Sequence, residues 1–200
     1  MLRRAVFLDR DGVLVRDVGP LTSAADIVLT PGVAEALSQL AAAGYLLLVV
    51  SNQTVVARGL LDEAAVSELQ RQVEERIVAA GGPALDGFHF CPHHPHATRP
   101  EWRRDCGCRK PAPGLLIEAA ARHRISLKQS YMIGDRQSDV VAGLRAGCTT
   151  IQVKTGAHSE PPIEVTGGFQ AQPPHFLVND LPEAAAVVLA GARSALGAAS

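Results

Sequence analysis

Two aspartates near the start of the chain lie at a spacing that suits metal-dependent chemistry. Asp9 and Asp11 follow the apolar run 5–8, which is typical of a buried strand that ends in a turn. Side chains at i and i+2 of an extended chain point the same way, so the two carboxylates repel each other unless a cation lies beside them. Mg²⁺ prefers oxygen ligands and is the cation expected at a phosphate site. A pair of solvated loop aspartates is the competing interpretation of this pattern alone.

Polar residues also follow two later apolar runs. Ser51 comes directly after the run 45–50, and its hydroxyl could hold a phosphoryl oxygen. Asp135 follows the run that starts at 131, and Asp139 comes one helical turn later, where both carboxylates can face the same edge. Lys110 adds a cation before a predicted helix. Each residue has an ordinary alternative as a cap, turn or surface charge, but together they suit phosphoryl transfer, in which positioning and charge neutralisation dominate catalysis.

A cluster of cysteines and histidines between residues 89 and 108 predicts a metal site. Cys91-x-His93 and Cys106-x-Cys108 offer three sulfur ligands and one nitrogen ligand, which is a donor set of closed, structural zinc sites. In a reducing compartment such a cluster indicates metal before disulfide. His94 and His96 are competing ligands, and reduced thiols without metal are the ordinary alternative.

The elements expected to position these groups alternate between strands and helices. The predicted strands cover 5–8, 45–50, 88–90, 131–133, 149–153 and 175–178, and the predicted helices cover 33–43, 62–80, 113–123, 138–146 and 181–196. This alternation predicts a doubly wound α/β fold with a mostly parallel sheet, formed as a single domain over residues 1–200. A Gly- and Pro-rich loop is expected over 156–174 and a frayed tail over 197–200. Ligands of such sheets bind at the carboxyl ends of the strands, where the polar residues lie.

Composition excludes several functional classes. The 19 Lys+Arg against 20 Asp+Glu give a formal net charge of -1, which argues against nucleic-acid binding through bulk charge. Aromatic residues make up only 4% of the chain, so few side chains could stack on single strands. No signal peptide or membrane segment is visible, and we expect a cytoplasmic monomer whose partner is a small phosphate ester.

Four motifs in this order resemble those of the haloacid dehalogenase superfamily of aspartyl phosphatases. They are Asp9-Arg10-Asp11-Gly12-Val13, Ser51-Asn52-Gln53, Lys110-Pro111 and Gly134-Asp135-x-x-x-Asp139. The loop with Cys91-Pro92-His93 and Cys106-Gly107-Cys108-Arg109 is similar to that of the branch that hydrolyses heptose bisphosphates and histidinol phosphate. The match runs from about residue 5 to residue 153. It implies a capless, Rossmann-like fold in which a zinc loop, about 88–110, helps to cover the site.

The resemblance implies a role for each motif residue. Asp9 would be the nucleophile that forms an aspartyl-phosphate, and Asp11 would protonate the leaving group and then activate water. Ser51 and Lys110 would hold the transferring phosphoryl group, and Asp139 would orient Lys110. The implied Mg²⁺ ligands are Asp9, the Asp11 carbonyl and Asp135; the implied Zn²⁺ ligands are Cys91, His93, Cys106 and Cys108; the implied substrate contacts are Arg10, Asn52, Gln53, Arg109 and Arg136.

The implied activity is removal of the 7-phosphate of a heptose 1,7-bisphosphate, with histidinol phosphate or another sugar phosphate as the alternative. Arg103 and Arg104, beside Arg109, are expected to add positive charge for a second phosphate at the mouth of the site. Val13 and Val15 depart from the branch, which commonly has Thr and Asn there, and so bear on which sugar is used. A phosphate-sensing, receiver-like module without turnover is the alternative of another class.

Overall fold

The computed structural model describes residues 2–159 and 172–197. Its strands are β1 (Ala5–Leu8), β2 (Leu46–Asn52), β3 (Gly87–Cys91), β4 (Tyr131–Gly134), β5 (Thr149–Val153) and β6 (Phe176–Val178). They form one sheet in the order β3-β2-β1-β4-β5-β6, and every neighbouring pair is parallel. Residues 160–171 of the predicted loop and the tail 198–200 lie outside the described residues.

The helices are α1 (Val33–Ala42), α2 (Thr54–Ala57), α3 (Glu63–Ala79), α4 (Gly114–His123), α5 (Gln137–Ala146) and α6 (Leu181–Gly197). Five of them agree with the predicted helices to within one or two residues. Local chemistry sets several of these ends: the Asp62 side chain accepts a hydrogen bond from the Ala65 N–H at the start of α3, and Gly147 ends α5 in the left-handed conformation. α2 was not predicted, because four residues are too few for a helical period.

The central strands of the sheet are buried on both faces. In β1, Val6 and Leu8 pack into one core while Ala5 and Phe7 pack into the other. α1, α3 and α6 cover the first core, and α4 and α5 cover the second. This burial explains why β1 and the first five residues of β2 are continuous apolar runs, as in parallel sheets generally. The predicted doubly wound fold is confirmed.

The strand order places a crevice at the centre of the sheet. β1 lies between β2 and β4, and the chain turns to opposite sides of β1 to form them. Such a switch point leaves the carboxyl ends of the central strands open to a ligand. No cap domain is inserted between β1 and Lys110, a stretch that the structure describes in full. No described helix combines the length and apolar composition needed to cross a membrane.

Candidate active site

A buried lysine at the crevice contacts one carboxylate that follows β1 and another in the first turn of α5. The Lys110 Nζ lies 3.1 Å from Asp9 Oδ1 and 2.5 Å from Asp139 Oδ1, and it donates a hydrogen bond of 2.8 Å to the Val50 carbonyl. Burial alone would lower the pKa of Lys110, but the charges of Asp139 and Asp9 outweigh burial and raise this pKa. A fixed positive charge therefore lies beside the Asp9 carboxylate.

Three carboxylates meet beside this lysine. Asp9, Asp135 and Asp139 offer ligand atoms that all lie within 4.8 Å of one another, whereas the Asp11 carboxylate lies outside this cluster. The Asp135 Oδ2 accepts a hydrogen bond of 2.6 Å from the Ala157 N–H, but the buried Asp135 Oδ1 has no such partner in the described part of the chain. Burial, then the charges of Asp139 and Asp9, raise the pKa of Asp135 to about 8. A divalent cation would relieve this repulsion, and an all-oxygen donor set fits Mg²⁺.

The residues after β1 and β2 form a hydrogen-bonded network around Asp11. The Arg10 guanidinium donates to both Asp11 carboxylate oxygens, at 3.0 and 2.9 Å. Gln53 accepts from Arg10 at 2.9 Å and donates to Asp11 at 3.2 Å and to the Ser51 hydroxyl at 2.9 Å. Arg10 and Gln53 thus fix the orientation of Asp11 and Ser51. That these two residues contact substrate stays a prediction, although the buried Arg10 Nη1 has no hydrogen-bond partner among the residues described.

Two adjacent cations at the site are fixed by different parts of the fold. The Asn52 side chain, at the end of β2, accepts from the Lys110 N–H and donates to the Lys110 carbonyl, both at 3.0 Å. Asn52 was predicted to contact substrate, and in this structure both its amide groups hold Lys110 instead. The Arg109 guanidinium donates to the carbonyl of His93 at 3.1 Å. Lys110 is therefore anchored to the sheet and Arg109 to the cysteine-rich loop.

The predicted zinc ligands come together in this loop. The Sγ atoms of Cys91, Cys106 and Cys108 lie 3.2–3.5 Å apart, and the His93 Nδ1 lies 3.6 Å from Cys91 and 3.4 Å from Cys108. Ligands at 2.0–2.3 Å from a tetrahedral ion are about 3.5–3.8 Å from one another, so the cluster fits zinc to within a few tenths of an ångström. The thiols are not joined as disulfides. His94 and His96 do not belong to the cluster.

A cavity of about 600 Å³ opens above these groups. Its base includes Asp9, Asp11, Ser51 and Lys110, and its other polar walls include Arg58, His94, Arg109, Arg136 and Asp17. The Arg136 guanidinium lies 2.9 Å from the Asp17 carboxylate and so joins the loop after β1 to the start of α5. Burial, then the charges of Arg109, His96 and Arg58, lower the pKa of His94.

The expected contribution of Arg103 and Arg104 to this cavity is wrong, because neither residue lines it. Arg103 donates to the Ala97 carbonyl at 2.8 Å, and Arg104 contacts the Nε2 of His93. The loop turns both side chains back on itself. Arg58, which follows α2, supplies positive charge instead. Sequence reasoning missed it because only the unpredicted helix α2 brings it to the cavity.

The comparisons with known proteins agree with this geometry. A family model described as HAD-hydrolase-like matches residues 107–184. The chain is 39% identical over 183 residues to the D-glycero-beta-D-manno-heptose-1,7-bisphosphate 7-phosphatase of Pasteurella multocida, with 91% of this chain and 96% of that protein covered. It is 40% identical over 153 residues to the enzyme of the same name from Photorhabdus laumondii, with 76% and 81% covered.

A solved structure matches the fold over nearly the full length. The D,D-heptose 1,7-bisphosphate phosphatase of B. bronchiseptica, determined in complex with magnesium and phosphate, superposes with a TM-score of 0.78 at 28% identity. The match covers 94% of this chain and 99% of that one. The chain therefore belongs to the HAD-like hydrolase family, as the motifs predicted, and it is a phosphoric monoester hydrolase. The curated relatives with which it shares most of its length are named for a heptose bisphosphate.

Proposed function

We propose that this chain removes the 7-phosphate of D-glycero-D-manno-heptose 1,7-bisphosphate in nucleotide-heptose biosynthesis, with Mg²⁺ and through an aspartyl-phosphate on Asp9. The observation that carries the proposal is a cavity with the Asp9–Lys110 pair at its base and further basic residues on one wall. Relatives that share most of this chain's length are named for this substrate. We further propose that the protein is a cytoplasmic monomer formed as one domain.

Asp9 is the proposed nucleophile. Its Oδ1 is held at 2.7 Å by the Arg10 N–H and at 3.1 Å by Lys110, and its Oδ2 accepts no hydrogen bond from the described residues. A bond forms between Asp9 and phosphorus while the bond from phosphorus to the sugar oxygen breaks. Lys110 and the Ser51 hydroxyl hold the phosphoryl oxygens, and Asp139 keeps Lys110 charged and in place. Inorganic phosphate is released when water breaks the acyl phosphate.

Asp11 is the proposed acid and base. It gives its proton to the departing sugar oxygen and later takes a proton from the attacking water. Because both carboxylate oxygens are paired with Arg10, this proton transfer requires that the pair loosens when substrate is bound. Gln53 contacts Asp11 and Ser51 together, so it couples the acid to the phosphate-binding hydroxyl.

Both metal sites belong to the proposal. Asp9, Asp135 and the Asp11 carbonyl would hold Mg²⁺, which supplies charge neutralisation at the phosphoryl group. The Asp139 side chain also lies within reach of this cluster. Cys91, His93, Cys106 and Cys108 would hold Zn²⁺ in a closed, structural site.

A second phosphate would occupy the basic wall of the cavity. Arg58, His94 and Arg109 line this wall, and Arg109 follows the zinc ligand Cys108 directly. Guanidinium groups bind phosphate oxygens through pairs of parallel hydrogen bonds. Lys110 and Ser51 already serve one phosphate at the base, so a bisphosphate uses the surplus charge and a monophosphate does not.

A panel of phosphate esters with released phosphate measured at fixed Mg²⁺ tests the proposal. Heptose 1,7-bisphosphate should give a larger kcat/KM than the 7-monophosphate and than histidinol phosphate. Asp9→Asn should fold as wild type and release no phosphate, because the amide cannot form the acyl phosphate. Steady turnover by that variant would contradict the nucleophile assignment.

The substrate assignment has its own test. Arg58→Ala and Arg109→Ala should each lower kcat/KM for the bisphosphate more than for the monophosphate, because each arginine binds the second phosphate. Arg104→Ala is the matched control, because the Arg104 side chain contacts His93 and does not line the cavity. If histidinol phosphate is hydrolysed best, the substrate proposal is wrong while the mechanism stands. If no ester is hydrolysed but Asp9 accepts phosphate, the receiver-like alternative replaces the phosphatase proposal.

A further inference from the structure

Asp135 of the carboxylate cluster is contacted by the turn after β5 and by Gln152 of β5. The Ala157 N–H donates to Asp135 Oδ2 at 2.6 Å, and the Gln152 side-chain amide donates to the Asp135 carbonyl at 3.0 Å. Asp135 is fully buried, so these contacts decide which of its oxygens remains available. The contact from Ala157 occupies Oδ2, and Oδ1 is left without a hydrogen-bond partner among the residues described.

Glycine is required where this turn passes Asp135. A Cβ added to Gly156 would overlap the Asp135 carboxylate and would lie 2.9 Å from the Gly12 Cα. Gly12 approaches the same carboxylate oxygen, and a Cβ added to it would lie 2.5 Å from Asp135 Oδ2. The Thr155 hydroxyl donates to the Gly12 carbonyl and so ties the two turns together. Both turns therefore pass so close to Asp135 Oδ2 that only glycine fits at positions 12 and 156.

We propose that the turn Thr155-Gly156-Ala157 is a positioning element that holds Asp135 with Oδ1 turned toward the divalent cation. The inference rests on the Mg²⁺ site of the proposed function and extends it to residues that make no contact with the phosphate. Groups that orient a metal ligand from behind commonly change metal affinity by about 10- to 100-fold when they are altered. None of the three residues has a side chain that could ligate a metal strongly, so sequence motifs do not reveal them.

The test is binding of Mn²⁺, followed by electron paramagnetic resonance of the free ion, in the absence of any substrate. Gly156→Ala should raise the Mn²⁺ dissociation constant about tenfold or more. Thr155→Val, which removes only the bond to the Gly12 carbonyl, should give a smaller rise. Competition with Mg²⁺ should show the same order. The Mg²⁺ concentration needed for half-maximal phosphate release should rise in parallel.

Gly44→Ala is the matched control. Gly44 has a φ of 82°, so alanine is strained there, but an added Cβ meets nothing within 4 Å. This variant should lose stability and keep the wild-type affinity for Mn²⁺. A folded Gly156→Ala that binds Mn²⁺ within about twofold of wild type overturns the inference. If Gly156→Ala does not fold, an unchanged constant in Thr155→Val overturns it. Wild-type protein that binds no Mn²⁺ would refute the metal site of the proposed function, and the inference with it.

Discussion

Replacing Asp135 with asparagine should stabilise the protein when no divalent cation is bound. The Asp135 side chain is fully buried, and burial together with Asp139 and Asp9 raises its pKa to about 8 from 3.8. In the unfolded chain the group ionises freely. The folded state therefore binds a proton that the unfolded state gives up, and stability of the wild type falls as pH rises from about 4 to about 8.

The magnitude follows from this shift. Between the unfolded-state pKa of about 4 and pH 7, the wild type loses stability over about three pH units. At 1.36 kcal/mol per unit, the loss in free energy of unfolding is about 4 kcal/mol. Asparagine carries no charge, and its oxygen can still accept from the Ala157 N–H. Its buried NH₂ group has no partner, which costs about 1–3 kcal/mol. Asp135→Asn should therefore gain about 1–3 kcal/mol near pH 7 and almost nothing near pH 5.

Urea unfolding followed by far-ultraviolet circular dichroism measures this gain. The buffer is cleared of divalent cations over a resin before protein is added, so that no chelator reaches the cysteine-rich loop. Asp26→Asn, at an exposed position, is the control and should change nothing at either pH. Added Mg²⁺ should stabilise the wild type and leave Asp135→Asn unaffected. A variant no more stable than wild type near pH 7, or one equally stabilised at both pH values, would refute the reasoning.

Three further substitutions test other parts of the site. Lys110→Met should lower kcat for phosphate release by about 100- to 1,000-fold, because Asp139 and the phosphoryl group lose their buried counter-charge; single-turnover phosphate release measures this, and a loss under threefold would count against the role. Cys106→Ser should reduce bound zinc from one per chain toward none and lower the Tm, as elemental analysis and calorimetry would report. Gln53→Leu should lower kcat more than it raises KM, because Asp11 then keeps only its pair with Arg10 and Ser51 loses its contact with Gln53; steady-state kinetics showing only a raised KM would contradict this.

Much of the fold was predictable from the sequence because the sheet is covered on both faces. A central strand such as β2 is then apolar over most of its length, which the sequence reveals directly. The remaining errors are at ends: β2 runs on through Ser51 and Asn52, which were expected to follow it. Hydrogen bonding to β3 extends the strand past its apolar part, and no local property of Ser51 or Asn52 indicates this.

The site was predictable where side chains carry the chemistry. Asp9, Lys110 and Asp139 stood out by residue type and spacing, and the structure brings them together. The contact from the Ala157 N–H could not be predicted in this way, because almost any residue type can donate a hydrogen bond from its backbone. The expectation for Arg103 and Arg104 in the cysteine-rich loop failed for another reason. Their direction is decided by how the loop closes on His93, which depends on tertiary structure and not on nearness in sequence.

The separate anchoring of Lys110 and Arg109 has a consequence for how such an enzyme diverges. The Asn52 amide pairs with both backbone groups of Lys110 much as a neighbouring strand would. The position of the lysine therefore depends on the sheet. Arg109 depends on the carbonyl of His93 and hence on the loop. Under the proposed function, insertions or substitutions in that loop would change which phosphate ester Arg109 binds, while Lys110, one residue away, would keep its place beside Asp9.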